Sequence, residues 1–294
     1  MTAGVWWALV AALGFGLIQA SNRKANQIVD AFRSTFGLLL TLEVLLLLRA
    51  ALAGQLELAA TAPLVAVALF TAATSFHFVG GWTLVALSQQ RIGVARTGAL
   101  VSAAPLMGTL LASIVLDEPL SLTILGGVSL AVLGVALISF SGSGNGEPQT
   151  WARPWLALTV AVIWGSSPLL IRLGLEEFDH PVLGLTIGLG ISMVGFTVAI
   201  ASTGSLRKGP VPPRARRWMM IGGLAGAVAV SAQWTSFGLT TVAIALTVQQ
   251  LSALVVVALV PIMFKEPFER MNLKFLGGMV AMLAGSVAVV LSGR

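Results

Sequence analysis

The sequence predicts an all-α integral membrane protein: ten transmembrane helices forming two inverted five-helix repeats around a central cavity. Composition, ten long apolar runs and a set of motifs that occurs twice carry this expectation. Hydrophobic residues make up 57% of the 294 residues and charged residues only 10%, where a soluble domain carries about 25% charged. A chain this apolar has too little polar surface to face water. Within the bilayer only helices or closed barrels satisfy every backbone group. The apolar runs are continuous rather than alternating, which selects helices.

Crossing a hydrocarbon core about 30 Å thick takes roughly 20 helical residues. Ten runs meet that length, near 4–22, 34–51, 63–85, 93–116, 121–140, 153–173, 181–201, 217–240, 242–264 and 272–292. Few residues, none basic, precede the first run, and no small-residue cleavage site follows it, so it is expected to be a retained span. The segment from Ser141 to Thr150 is rich in Gly and Ser and is expected to be flexible. A linker at 141–152 therefore divides a first repeat, 1–140, from a second, 153–294. The longest connections are this linker and the basic stretch from Ser202 to Arg217, so no soluble domain is expected.

The duplication is visible in short motifs. WWALVAALGFG begins at Trp6 and WLALTVAVIWG at Trp155, 149 positions later; Arg23 falls on Arg172 at the same offset. An acidic-proline corner follows the fourth run, Asp117-Glu118-Pro119, and another the ninth, Lys265-Glu266-Pro267. The next span carries a Gly pair and a third Gly in each half, Gly126, Gly127 and Gly134, then Gly277, Gly278 and Gly285. A duplicated membrane unit places a pathway between its halves.

Charge sets the orientation. One face holds Arg23, Lys24, Arg33, Arg91, Arg96, Arg153, Arg207, Lys208, Arg214, Arg216, Arg217, Lys265, Arg270 and Lys274, 14 of the 17 basic residues. Only Arg49, Arg172 and Arg294 are left for the other. The positive-inside rule assigns the basic face to the cytoplasm and both termini to the extracytoplasmic side. The two acidic-proline corners carry opposite charge bias, as inversion requires. The net charge of +6 belongs to these loops and lipid headgroups rather than to nucleic acid. Cysteine is absent, which excludes disulfides and thiolate metal sites; no metal or cofactor is expected.

Together these features resemble the drug/metabolite transporter superfamily, in its EamA-type branch of two five-helix repeats. The residues that carry the resemblance are Phe15-Gly16 with Arg23, Trp164-Gly165 with Arg172, Ala104-Pro105-Leu106, Glu118-Pro119, Glu266-Pro267 and the Gly-rich fifth and tenth spans. It covers essentially the whole chain and departs at Ala253, where the second copy lacks the proline matching Pro105. The resemblance is strongest to bacterial inner-membrane exporters of aromatic amino acids and related metabolites. It implies a multi-pass inner-membrane protein that exports a small molecule, with the two repeats acting as an internal pseudo-dimer in a monomer.

Polar residues inside the spans are the candidate site. An ionised carboxylate at mid-bilayer costs about 2.5–3.5 kcal/mol, so Glu43 is expected to face protein or a cavity. It is a candidate for proton coupling or amine binding, against a bracing carboxyl. His77 shares a small, polar stripe with Thr74 and Gly81; it is a candidate cavity residue and proton carrier, against a neutral imidazole tied to a carbonyl. Trp164, Ser166 and Pro168 lie in the sixth span, where the proline removes a backbone donor and allows a bend; Pro105 is the corresponding candidate hinge in the fourth. Gln249 and Gln250 bring buried amides that must meet another helix or a ligand.

The expected cavity is walled by Phe15, His77, Trp164, Ser166, Gln249 and Gln250, and suits a small neutral or zwitterionic solute or a flat ring. A lipophilic cation is the alternative, held on aromatic faces. Gly184, Gly188 and Ser192, like Gly222 and Gly226, have the spacing of close helix contacts. An enzyme is disfavoured, since no Asp lies inside a span, only two His occur, with His180 in a loop, and no H-E-x-x-H is present. A channel is the weaker rival, its pore lined by uncharged groups.

Overall fold

Local signals set the helix ends. In the computed structural model, which describes residues 2–92, 94–141, 153–202, 204, 209–264 and 273–292, no strand occurs among these residues. α1 (Thr2–Asn26) is followed by α2 (Ala31–Leu52), whose N-cap Asp30 accepts a hydrogen bond from the Arg33 backbone N–H at 3.1 Å. The short α3 (Leu56–Ala59) leads to α4 (Leu64–Thr74), a π-helical stretch (Ser75–Gly81) and α5 (Trp82–Ile92), which together make one crossing. Then come α6 (Val94–Val101), α7 (Ala104–Val115) and α8 (Leu122–Ser141). The second half contains α9 (Trp155–Glu177), α10 (Pro181–Ser202), α11 (Pro213–Leu239), α12 (Val242–Gln249), α13 (Ser252–Phe264) and α14 (Leu273–Ser292).

Nine segments among the described residues are long and apolar enough to cross a membrane. α11 is not among the nine, although its 27 residues span about 40 Å. Its run of Ala232-Gln233-Trp234-Thr235-Ser236 lowers its hydropathy, and these side chains are mostly buried against other helices rather than exposed. The expected linker beyond Ser141, the corner at Lys265-Glu266-Pro267 with Arg270, and Met1, Arg207, Lys208 and Arg294 lie outside the described residues.

The most extensive helix contacts join a helix before Ser141 to one after Trp155: α1 with α11, α8 with α14, α2 with α11, α7 with α9, α4 with α10 and α1 with α13. Glycines make these approaches possible. A Cβ on Gly127 would stand 3.0 Å from the Gly285 carbonyl oxygen, and one on Gly134 2.6 Å from that of Gly278. The paired positions advance in opposite directions along α8 and α14, so these helices pack antiparallel. Phe70 of α4 fills a notch of Gly174, Gly184 and Gly188, and its ring meets Trp234 at 5.4 Å. Phe70, Phe78, Phe196, Trp234 and Phe237 anchor the main core. Outward-facing Leu48, Leu133, Val194, Val198 and Val228 are more than half exposed, an apolar exterior suited to lipid chains.

Two crossings are interrupted at matching places. α6 gives way to α7 at Ser102-Ala103, and α12 to α13 at Gln250-Leu251, 148 positions later. Pro105 sits in the first turn of α7, where its missing N–H costs nothing. At Ala253 the break forms without proline. A tight run of three-residue hydrogen bonds makes it, including Gln250 N–H to Thr247 O and Ala253 N–H to Gln250 O. α9, by contrast, continues as one helix through Pro168.

Candidate functional site

The π-helical stretch from Ser75 to Gly81 is the local device that builds the polar centre. Its wider turn shifts the register of the third crossing, so the expected Thr74–His77–Gly81 stripe divides between two neighbours. Thr74 turns to α10, where its hydroxyl lies 2.8 Å from the Ser192 hydroxyl; Ser75 reaches the same oxygen at 2.8 Å. His77 and Gly81 turn to α9. The imidazole Nδ1 of His77 is 2.7 Å from the Ser167 hydroxyl, and its ring stacks on Trp164 with centroids 5.4 Å apart at 19°. The Trp164 indole N–H donates to the His77 carbonyl oxygen at 3.0 Å. Such a bond suits a buried indole, which has only a donor to satisfy. Gly81 leaves room for that indole: a Cβ there would lie 2.2 Å from Nε1.

A second polar group surrounds the break between α12 and α13. The Gln233 side-chain amide donates to Gln249 Oε1 at 2.9 Å, and that of Gln250 to the Ser102 carbonyl oxygen at 3.1 Å. Ser102 and Gln250 occupy equivalent positions of the two interrupted crossings, 148 residues apart, so the two breaks touch. Gln249 is 9% exposed, and among the described residues its Nε2 has no hydrogen-bond partner. α7 and α9 close together beside Gly108 and Gly165, where a Cβ on Gly165 would meet the Ala104 carbonyl oxygen at 2.8 Å.

The other expected residues are less convergent. Phe15 on α1 is half-buried against the main core cluster. The Ser166 hydroxyl bonds back to the Ile163 carbonyl oxygen at 3.2 Å, and the hydroxyl that meets His77 is its neighbour Ser167. Adjacent helical residues point about 100° apart, so this choice depends on how α9 docks. Glu43 is 4% exposed, with one carboxylate oxygen 3.0 Å from where a Gly190 Cβ would stand. Neither of its oxygens has a hydrogen-bond partner among the described residues.

Glu118 was not a candidate, yet it ties the halves together outside the spans. Both its carboxylate oxygens accept from the Val242 N–H, at 3.0 and 2.9 Å, capping α12. Arg172 donates to the Phe237 carbonyl oxygen at 2.7 Å near the end of α11, and its charge favours the ionised Glu118. Burial nevertheless pushes the Glu118 carboxyl above its ordinary value, against the pull of the Val242 and Ala243 N–H groups and Arg172. The shared Glu-Pro corners and the Val-Ala start of the fourth and ninth runs were the available signal.

Known proteins bear on this geometry in two ways. Residues 2–140 match the EamA-like transporter family. No curated protein matches the chain. Among 28 solved chains that match, one crystal structure has a TM-score of 0.74 at 13% identity, over 97% of this chain and 98% of that one. At that identity the likeness carries the fold alone. The chain is a multi-pass membrane protein whose residues 2–140 match the EamA-like transporter family.

Proposed function

We propose that the chain is a secondary transporter that exports small metabolites, foremost aromatic or neutral amino acids, across the bacterial inner membrane by alternating access. The observation that carries this reading is the contact of the two interrupted crossings through Gln250 and Ser102. Discontinuous helices meeting at mid-membrane are a common way to build a transport site. Ten crossings fit the reading, with α11 as the eighth, in two inverted repeats at 1–140 and 153–294 joined by a linker at 141–152. Exchange of the halves carries the packing of α2 on α11 into that of α10 on α4, and that of α7 on α9 into that of α13 on α1. The basic face is cytoplasmic in this reading and both termini are outside; a fluorescent protein fused after Arg294 that glows in the cytoplasm would reverse the orientation.

The proposed central cavity is walled by Phe15, His77, Trp164, Ser166, Gln249 and Gln250, with Ser167 added. Gln249 Nε2, a buried donor without an acceptor, supports a solute that brings a carboxylate or carbonyl. The Trp164 face supports a flat ring beside it. Glu43 or His77 is the proposed proton carrier, and for Glu43 the support is a carboxylate buried without a partner. The stacked His77 and Trp164 rings favour a second reading, efflux of a lipophilic cation. Proteoliposomes loaded in turn with aromatic, aliphatic and cationic solutes, with and without a pH gradient, separate the two. Efflux of cations alone would favour the second reading, and unitary currents would favour a channel.

A further inference from the structure

We propose that the groove between α2 and α11 on the basic face is a binding site for one anionic phospholipid. It holds about 760 Å³, the size of a small-molecule site. The two arginines on its wall, Arg33 and Arg216, come from the first turns of α2 and α11. The rest of its wall is almost wholly apolar, with Phe36, Leu40, Val44, Met220 and Leu224 running away from the arginines toward the middle of the two helices. Leu40, Val44 and Leu224 are about half exposed, so the channel opens sideways onto the bilayer.

This division of charge and grease selects the ligand. Arg33 is 9% exposed, and one of its terminal nitrogens donates to the Gly209 carbonyl oxygen at 2.6 Å. That bond holds the guanidinium at the groove wall and uses one of its five donors. Arg216 is exposed and shares the mouth. Asp30, whose carboxylate caps the α2 backbone, is not part of the groove wall, and neither helix has an acidic residue in its first turn. Two cations at the headgroup level above an apolar trough complement a phosphate ester that carries an acyl chain. A zwitterionic headgroup brings a second cation that the arginines would repel.

Native mass spectrometry of the detergent-purified full chain with added phosphatidylglycerol or phosphatidylcholine tests the site. The expected result is one retained phosphatidylglycerol, held at least 10-fold more tightly than phosphatidylcholine. Arg216→Gln should remove most of that preference. Leu40→Trp, which fills the trough, should cut retention of phosphatidylglycerol at least fivefold while both arginines stay. Arg33→Gln should do the same, and the other two variants keep the test decisive if Arg33→Gln fails to fold. Equal retention of the two lipids, or no effect of Arg216→Gln, would overturn the proposal. So would binding of glycerol 3-phosphate as tight as that of the lipid, because the apolar trough would then contribute nothing.

Discussion

Gly81→Ala is the sharpest perturbation of the His77–Trp164 pair. The added Cβ would stand 2.2 Å from Trp164 Nε1 and 2.9 Å from Cδ1, so the indole must leave its place. Overpacking of this kind costs about 1–3 kcal/mol. Losing the indole bond to the His77 carbonyl oxygen adds about 0.5–1.5 kcal/mol. Gly80→Ala is the matched control, because its Cβ would meet nothing closer than the Ser75 carbonyl oxygen at 3.6 Å. The two variants share the gain of alanine over glycine in a helix, about 1 kcal/mol, so their difference isolates the clash. Gly81→Ala should be about 2–4 kcal/mol less stable than Gly80→Ala. Reversible unfolding in mixed micelles, followed by tryptophan fluorescence, reads that difference; flux in proteoliposomes should fall for Gly81→Ala and hold for Gly80→Ala. Equal stabilities for the two variants would show that Trp164 does not occupy the space against Gly81, and the geometry of the site would be wrong.

Four further outcomes follow from the same contacts. Gly134→Ala brings a Cβ to 2.5 Å from the Met282 backbone nitrogen and should cost about 1–3 kcal/mol, whereas Gly126→Ala, with nothing within 4 Å, should cost nothing by the same unfolding assay. Glu118→Gln should alter the pH dependence of stability. Since burial raises the folded-state value of Glu118, its contribution is greatest below the unfolded value and is lost as pH rises through the raised one; the wild-type midpoint should fall relative to Glu118→Gln over that interval, and parallel curves would refute this. Trp164→Ala should weaken flux of aromatic solutes more than that of small aliphatic ones, while equal loss would make Trp164 a packing residue. Glu43→Gln should leave membrane insertion nearly intact, and a pH dependence of flux identical to wild type would remove Glu43 from coupling.

The helices were legible because apolar length and glycine spacing are local properties. The Gly126-Gly127-Gly134 and Gly277-Gly278-Gly285 sets stood out as a repeated motif, and in the structure Gly127 and Gly134 meet Gly285 and Gly278. Glu43 was expected to avoid lipid, and it is buried. What depended on docking was not legible. Ser167 rather than Ser166 meets His77 because a π-helical stretch resets the third crossing against α9. The break at Gln250 needs no proline, so residue type gave no sign of it. Glu118 reaches Val242 across 124 positions of sequence, a partnership of which the repeated Glu-Pro and Val-Ala pairs were the only trace. Phe70 is one apolar residue among many until Gly174, Gly184 and Gly188 assemble around it.

The claim of a carrier is tested most directly by counterflow. Proteoliposomes preloaded with millimolar unlabelled phenylalanine or leucine are diluted into a trace of the same labelled amino acid. An alternating-access carrier should take up label transiently above equilibrium, with a rate that saturates, and Trp164→Ala should depress the overshoot for phenylalanine more than for leucine. Label that only equilibrates, at a rate linear in concentration and unaffected by the preload, would contradict the account.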